Sequence, residues 1–282
     1  MIPSMSSGIS GLKTHQIRMN VIGNDIANVN TTGYKQSNVT FKEAYVTTLR
    51  GASPGSPGMQ VGLGTQLSAI SRDFGGGALM QTGISTNLGL SGNGFFVVND
   101  VGGAANQQRF TRAGDFTLDV DAGQSFLVNP DGKRLQGVMT ANLGDPAPDM
   151  TGLTQAALGD IVLPPNTSSF NIALDGTLYV SVAGAEAQVA GRVAVAEFDN
   201  PNGLQAVGSN LYTATDAATI RPFANPGGDG IGQILQGYIE NSNVDLAQEF
   251  TDMIVTQRGF QANSRTISTS DEMLQELLTL KR

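Results

Sequence analysis

Apolar residues recur at seven-residue intervals through the last 39 positions of the chain, from Val244 to Arg282. The first row of this repeat is wholly apolar, whereas a second row, four positions later, mixes apolar and polar residues. The first row is Leu246, Met253, Phe260, Ile267 and Leu274, and the second is Phe250, Gln257, Ser264, Asp271 and Leu278. Alternating spacings of four and three are typical of a coiled coil. The pattern predicts one helix, about 55 Å long at about 1.5 Å per residue, whose stripe must be buried against a partner.

The first thirty residues carry a matching pattern. Met5, Leu12, Met19 and Ile26 form one apolar row, and Gly8, His15, Ile22 and Val29 form the row beside it. Pro3 suits the first turn of a helix, and Gly33 can take the left-handed conformation that follows a last turn. We therefore predict a helix from about Pro3 to about Val29 that mates with the C-terminal helix. The alternative is two ordinary surface helices on a central domain, which the length and strict period of the C-terminal helix disfavour.

Strand and turn signals fill the middle of the chain. The dipeptide Asp175-Gly176 is a strong signal for a two-residue hairpin turn. Pro and Gly punctuate two loops, at 53–58 and 222–232, on either side of this region. Apolar runs or alternating positions predict strands at Gly94–Asn99, Arg109–Arg112, Asp115–Asp119, Phe170–Leu174, Thr177–Val180 and Val193–Phe198.

The predicted fold class is therefore α+β. N- and C-terminal helices form a coiled-coil module, and a central all-β domain is inserted between them. The expected boundaries are 1–33 and 244–282 for the helical polymerisation module, 34–72 and 221–243 for linker or connector segments, and 73–220 for the β domain.

Composition narrows the classes of partner. The net charge is −8 and no basic cluster occurs, which argues against nucleic acid. The chain has no apolar run of eighteen residues, so we expect no membrane insertion. It lacks a basic n-region followed by an apolar h-region, so we expect export, if any, to occur without a cleaved signal. Cysteine is absent, which excludes disulfides and thiolate metal sites.

No segment presents a convincing reactive constellation. The glycines of Gly89–Gly94 lead into a strand rather than the helix that a dinucleotide site requires. The segment that starts at Asp119 resembles a calcium loop but has Gln124 and Pro130 where Gly and Glu are needed. His15, the single histidine, lies on the helical stripe without a nearby carboxylate. We expect no catalytic, cofactor-binding or metal site, and no cofactor; a hydrolase is accordingly disfavoured.

Three groups of motifs resemble a known family, the axial proteins of the bacterial flagellum that form the rod and hook. They are SGISGL from Ser7 with NVIGNDIANVNTTGYK from Asn20, GLSGNGFFVV from Gly89 with RFTRAGDF from Arg109, and LQGYIENSNVDLAQEF from Leu235 with MIVTQRGFQANSRTISTSDEMLQEL from Met253. The resemblance implies a structural subunit that assembles with itself into a tubular helical filament. It also implies signal-less export through the flagellar type III apparatus, and contacts with other axial proteins, namely rod, hook–filament junction and hook cap proteins.

Within this family the motifs favour the hook protein, which joins rod to filament and transmits torque. Ile70–Phe74, Arg134–Gly137 and Val255–Asn263 have the form that hook proteins carry, whereas Gly203–Tyr212 fits hook and distal rod alike. The alternative is the distal rod subunit of the basal body, because the chain is shorter than hook proteins with a large outer domain. A secreted adhesin is a further alternative that the Gly-rich β domain suggests, but an adhesin needs no matched heptads at its two ends.

The heptads supply the expected interface residues. We expect the first row of the C-terminal helix to face the chain's own N-terminal helix, and the second row with Ile254, Met273 and Leu277 to meet neighbouring subunits. The full set is Met5, Ile9, Leu12, Met19, Ile22, Ile26, Val29, Leu246, Phe250, Met253, Ile254, Phe260, Ile267, Leu274 and Leu278.

Overall fold

The structure is a computed structural model and describes residues 3–51, 57–103, 107–121, 123–182, 186–228 and 230–280. Two long helices lie at the ends of the chain, and the described residues between them form strands, turns and short 3-10 helices, so the α+β prediction is confirmed. Helix α1 spans Pro3–Ala27 and helix α2 spans Leu246–Leu280. The predicted loop at 53–58 lies mostly outside the described residues.

The chain divides into two compact units. Unit 1 comprises Met1–Val29, Gln36–Asp73 and Val244–Arg282, and unit 2 comprises Asn30–Lys35 and Phe74–Asn243. These bounds differ from the expected ones. The segment 34–72, which was expected to be a connector, forms paired strands, and most of it is part of unit 1 together with the helices. The second expected connector, 221–243, contributes two strands to unit 2.

The described residues of unit 1 form the two helices and four strands. The strands are β1 (Ser37–Glu43), β2 (Val46–Arg50), β3 (Met59–Gly62) and β4 (Thr65–Arg72). Antiparallel pairing joins β1 to β4 and β2 to β3. At the start of α2, the Asp245 carboxylate accepts hydrogen bonds from the backbone N–H groups of Ala247 (2.8 Å) and Gln248 (3.3 Å), which caps the helix. Helix α1 ends at Ala27, so Val29 lies past its end.

The described residues of unit 2 form seventeen strands. They are β5 (Leu79–Gln81), β6 (Leu88–Ser91), β7 (Phe95–Asn99), β8 (Arg109–Thr111), β9 (Thr117–Asp121), β10 (Gln124–Val128), β11 (Arg134–Met139), β12 (Gly159–Asp160), β13 (Val162–Leu163), β14 (Thr167–Ile172), β15 (Thr177–Val182), β16 (Gln188–Val193), β17 (Val195–Ala196), β18 (Gln205–Gly208), β19 (Leu211–Thr213), β20 (Gln233–Gln236) and β21 (Tyr238–Glu240). Thirteen of them share one sheet, whose main path runs β14-β15-β16-β11-β7-β8-β19-β18. The other four pair as β20 with β6 and β21 with β5.

Most of the predicted strands are present. The run at Gly94–Asn99 forms β7, whose five residues are all buried. A hairpin around Asp175-Gly176 is confirmed, because β14 pairs with β15, and Gly176 has a φ of 77° that a side chain would strain. Its turn has three residues rather than two, since the Ala173 N–H donates to the Thr177 carbonyl at 2.9 Å. Two further predictions need correction. The Asp115–Asp119 strand begins two residues later, as β9, and is exposed on both faces rather than half-buried, because β9 lies at an edge and pairs only with β10. The Val193–Phe198 strand is split between β16 and β17.

A core of large apolar side chains holds unit 2 together. Phe96, Phe116, Leu127 and Val180 are fully buried in one cluster, and Phe95, Phe110 and Phe198 pack edge to face in a second. Burying a side chain of this size stabilises a fold by about 1.5–3 kcal/mol.

A buried ionic cluster ties the first and last segments of unit 2. The Glu240 carboxylate accepts hydrogen bonds from Lys35 Nζ at 2.7 Å and from Arg112 at 3.2 Å, and all three side chains are almost completely buried. Lys35 also donates to the Gly75 carbonyl, and Arg112 to the Gly92 carbonyl. These partners compensate charges that would otherwise be costly to remove from water, although burial still lowers the pKa of Arg112.

Candidate assembly interface

Helices α1 and α2 pack antiparallel along a seam of small and polar residues. Near one end, the hydroxyl groups of Ser4 and Ser270 are 3.3 Å apart. Further along, the Arg18 guanidinium lies 3.2 Å from the Asp252 carboxylate. The contacting residues therefore run in opposite directions along the two helices.

Glycines allow the helices to approach closely at the centre of the seam. A Cβ atom on Gly11 would lie 2.5 Å from the Asn263 amide, and one on Gly8 would lie 2.9 Å from Cγ1 of Ile267. Likewise, a Cβ on Gly259 would lie 2.6 Å from the His15 ring. Real Cβ contacts are longer, so the seam depends on the missing side chains of these three glycines.

Strands of unit 1 extend this packing. The His15 ring meets Phe41 of β1 edge to face, with 6.3 Å between ring centroids. Thr14 and Thr65 of β4 have hydroxyl oxygens 3.2 Å apart. Burial and the neighbouring Arg18 charge lower the pKa of His15, so this ring packs as a neutral group.

Acidic groups meet at the other end of the seam. Asp25 and Glu249 are both buried, and Asp25 accepts a 3.1 Å hydrogen bond from the backbone N–H of Ser37. Gln36 donates its side-chain amide to Glu249. Burial, with the nearby Asp25 and Asp252 charges, raises the pKa of the Glu249 carboxyl despite the bond from Gln36. Keeping the Glu249 carboxylate ionised at this end of the seam therefore lowers the free energy of unfolding.

The most deeply buried residues of α2 form a seven-residue series that differs from both predicted rows. Glu249, Thr256 and Ser270 are each almost fully buried, and Asn263, in the same seven-residue series, is half-buried against Gly11. This row lies one residue before the predicted second row. Its members are small or polar, so hydrophobic periodicity gives no signal for them; the small residues of α1 at helical spacing, Gly8 and Gly11, were the available clue.

The predicted first row flanks the seam. Ile267 contacts the Gly8 position, and Met253 and Leu274 are half-buried, whereas Leu246 and Phe260 are exposed. On α1 only Ile22 is fully buried among the predicted residues and Ile9 is exposed. The half-buried members at this end of the chain are Met5, Leu12, Met19, Ile26 and Val29.

Large apolar side chains are left on the surface of unit 1. On α2, Phe250 is 50% exposed, Ile254 52% and Leu278 69%. The β2–β3 hairpin adds Val46, Leu49, Met59 and Val61, and the preceding residue Tyr45 is 74% exposed. We call the α2 set Leu246, Phe250, Ile254, Phe260 and Leu278 the outer stripe. So many exposed large apolar side chains on one folded unit are typical of a protein–protein contact surface.

Two other kinds of feature are absent from the described residues. Among them, no three His, Cys, Asp or Glu side chains lie close enough to hold a metal ion. Neither described helix is long and apolar enough to span a membrane.

Family models match most of the chain in three blocks. A model of the flagella basal body rod protein matches residues 5–35, the D1 domain model of flagellar hook protein FlgE/F/G matches 89–180, and the C-terminal model of flagellar basal body rod FlgEFG proteins matches 235–280. The two terminal matches include most of α1 and all of α2.

Individual relatives are similar over the whole length. The flagellar basal-body rod protein FlgG of Bacillus subtilis is 39% identical, with both chains fully covered, and that of Caulobacter vibrioides is 32% identical over 99% of each chain. The flagellar hook protein FlgE of Borreliella burgdorferi is 28% identical. Its alignment spans 448 positions against 282 residues here, so much of that hook protein has no counterpart in this chain.

Proposed function

The chain belongs to the family of flagellar rod and hook proteins, and we propose that within it the chain is a subunit of the basal-body rod. The observation that carries the choice is the full-length match to relatives named as rod proteins, which is closer than the match to a hook protein. The motifs that favour the hook are thus outweighed, and the distal rod alternative is the better supported assignment.

The surface of unit 1 supports a mechanism for assembly. Within one chain, α1 covers the small and polar seam of α2 and leaves the outer stripe exposed. When copies of one chain meet through two different patches, the contacts repeat without closing and generate a helical filament. We propose that the outer stripe and the β2–β3 hairpin are such patches. Their burial would then stabilise the polymer and not the isolated subunit.

The proposed partners follow from this role. They are further copies of the chain, neighbouring axial proteins of the flagellum, and the flagellar type III export apparatus, which would deliver the subunit without a cleaved signal. The proposed location is the basal body.

Deleting the gene tests the choice between rod and hook. A strain without this chain should form no complete rod when isolated basal bodies are viewed by electron microscopy, and the intact gene in trans should restore rods. Complete rods that lack only hooks would contradict the rod assignment and point to a hook subunit.

A further inference from the structure

A polar cavity opens on the surface of unit 2, where segments that are distant in sequence meet. The segment 30–32, the turn at 129–131 and the turn at 209–210 form its walls, and Ala113 and Asp115 complete the lining. Its volume of about 390 Å³ is in the range of cavities that hold a ligand group. We call this cavity the Asp115 pocket.

Two carboxylates in the Asp115 pocket have no positive partner. Asp115 and Asp131 are the charged residues of the lining, and neither forms an ion pair within the described part of the chain. The Oδ1 atom of Asp115 is shielded from solvent and has no hydrogen-bond partner among the described residues. Burial, and to a smaller extent the Asp131 charge, raises the pKa of the Asp115 carboxyl. A cation that entered the pocket would therefore be bound favourably.

The charge of the chain is divided unequally between the units. Unit 1 contains nine Lys and Arg residues and nine Asp and Glu residues, whereas unit 2 contains seven and fifteen, so the net charge of −8 lies entirely on unit 2. Six of the seven cations of unit 2 form ion pairs outside the pocket, and the seventh, Arg109, lies near Asp100. The six are Lys35, Arg112, Lys133, Arg134, Arg192 and Arg221.

Unit 1 presents cations that have no partner within the chain. Four of its Lys and Arg side chains are exposed, and in the described part of the chain their charged groups form neither an ion pair nor a hydrogen bond. They are Lys13, Lys42, Arg258 and Arg265. Unpaired cations on one patch and unpaired carboxylates on another patch of the same chain can pair between copies.

A cationic side chain suits the Asp115 pocket better than a metal ion does. Among the described residues, no three His, Cys, Asp or Glu side chains lie close enough to hold a metal ion. An ammonium or guanidinium group requires only hydrogen-bond acceptors, with a carboxylate among them for a strong, charge-assisted bond. The carboxylate, amide and hydroxyl oxygens of the lining are such acceptors.

We infer that the Asp115 pocket receives a lysine or arginine side chain from unit 1 of a neighbouring copy. The inference rests on the proposed function, because a helical polymer brings copies into the same contact repeatedly. A cation held in the pocket would compensate two carboxylates. It would also reduce the repulsion between copies of unit 2, each of which carries a net charge of −8.

Charge reversal in the pocket tests this inference in a strain that lacks the native gene. Asp131→Lys places a cation where the neighbour's cation would bind, at an exposed turn residue, and should lower the number of complete rods by about tenfold or more. Asp216→Lys is the matched control, because Asp216 is also an exposed turn carboxylate without an ion pair but lies outside the pocket. This control should leave the number of rods unchanged.

A second reversal identifies the partner side chain. Asp131→Lys is combined in turn with a reversal at each exposed, unpaired cation of unit 1, and one of the four combinations should restore rods, because it exchanges the two charges of one contact. The four reversals are Lys13→Glu, Lys42→Glu, Arg258→Glu and Arg265→Glu.

A conservative change separates contact from folding. Asp115→Asn keeps the shape of the side chain and removes a charge that burial disfavours, so it should raise the melting temperature of the full-length monomer at pH 7. The same change should lower the number of rods, because the neighbour's cation loses a carboxylate. A variant that melts lower than wild type would indicate a structural role only and would overturn the inference.

Two further results would overturn it: equal loss of rods in Asp131→Lys and Asp216→Lys, or no restoration by any of the four reversals. Both outcomes are separable from the rod assignment. If the native gene restores rods in the same strain and no reversal does so, the pocket contact alone is wrong.

Discussion

The two units use apolar side chains in opposite ways. Unit 2 buries its phenylalanines, with Phe96 and Phe116 at 0% and 1% exposure, whereas unit 1 leaves Phe250 half exposed and packs its helices through glycine, serine and threonine. Unit 2 therefore contains the core that stabilises it. Unit 1 has an incomplete core whose remaining apolar surface is available for association. We therefore expect unit 2 to be stable in the isolated subunit, and unit 1 to bury its remaining apolar surface only when subunits associate.

The largest expected difference comes from replacing one phenylalanine by alanine in each unit and comparing the losses of stability. Phe96→Ala should destabilise unit 2 by about 3–5 kcal/mol, because it leaves a cavity in a closed core. Phe250→Ala should lower the unfolding free energy of the monomer by only about 1 kcal/mol, because half of this side chain is already in solvent. Chemical denaturation of the two monomeric variants measures both. Equal losses would refute the contrast between the units.

Adding a side chain within the seam should have an intermediate effect. Gly11→Leu forces atoms into the space of Asn263 and should destabilise α1 by about 1–3 kcal/mol. Gly23→Ala is the matched control in the same helix: no atom lies within 4 Å of its added Cβ, so the helix should gain about 0.5–1 kcal/mol. Hydrogen exchange of the α1 backbone amides measures the change in helix stability in both variants. A Gly11→Leu chain with undiminished protection would show that close approach at the seam is unnecessary.

The smallest expected effect is electrostatic. The raised pKa of Glu249 means that the folded chain holds its proton at a pH where the unfolded chain has lost it. Stability therefore falls as pH rises from near the ordinary value of 4.5 through the raised pKa, and the cost is complete above it. Glu249→Gln keeps the acceptor for Gln36 and removes the charge, so it should stabilise unit 1 at pH 7.

The control for this change is its pH dependence. The gain from Glu249→Gln should disappear in acid below the ordinary glutamic acid pKa, when wild type is also neutral at this position. Thermal melts of wild type and variant across this range give the comparison. A variant that is less stable than wild type at pH 7 would contradict the electrostatic account.

Sequence reasoning found the elements whose signals are local. The seven-residue apolar repeats predicted both helices, and an apolar run and turn residues predicted β7 and the hairpin around Gly176. It assigned the wrong row of α2 to the centre of the seam, because Thr256 and Ser270 are small polar residues buried where the helices approach closely, and Glu249 is buried beside its hydrogen-bond partner Gln36. Hydrophobic periodicity does not predict the burial of small or polar residues in such a seam.

Strands β1–β4 were missed for a related reason. Val39 and Phe41 alternate with polar residues as strand positions do, but the Pro- and Gly-rich stretch at 53–58 dominated the interpretation of the whole segment as a connector. The pairing of β1 with β4 depends on residues about thirty positions apart, and local patterns do not report such contacts.

The most direct test of the central claim uses a charge on the outer stripe. Phe250→Asp should abolish rods in a strain that lacks the native gene, because assembly would bury an unpaired carboxylate. Unit 2 of the variant should melt as in wild type. Thr251→Asp, an equally acidic change at the next exposed position of α2, should still give rods. Complete rods formed by the Phe250→Asp chain, viewed in isolated basal bodies, would contradict the claim that the outer stripe joins subunits.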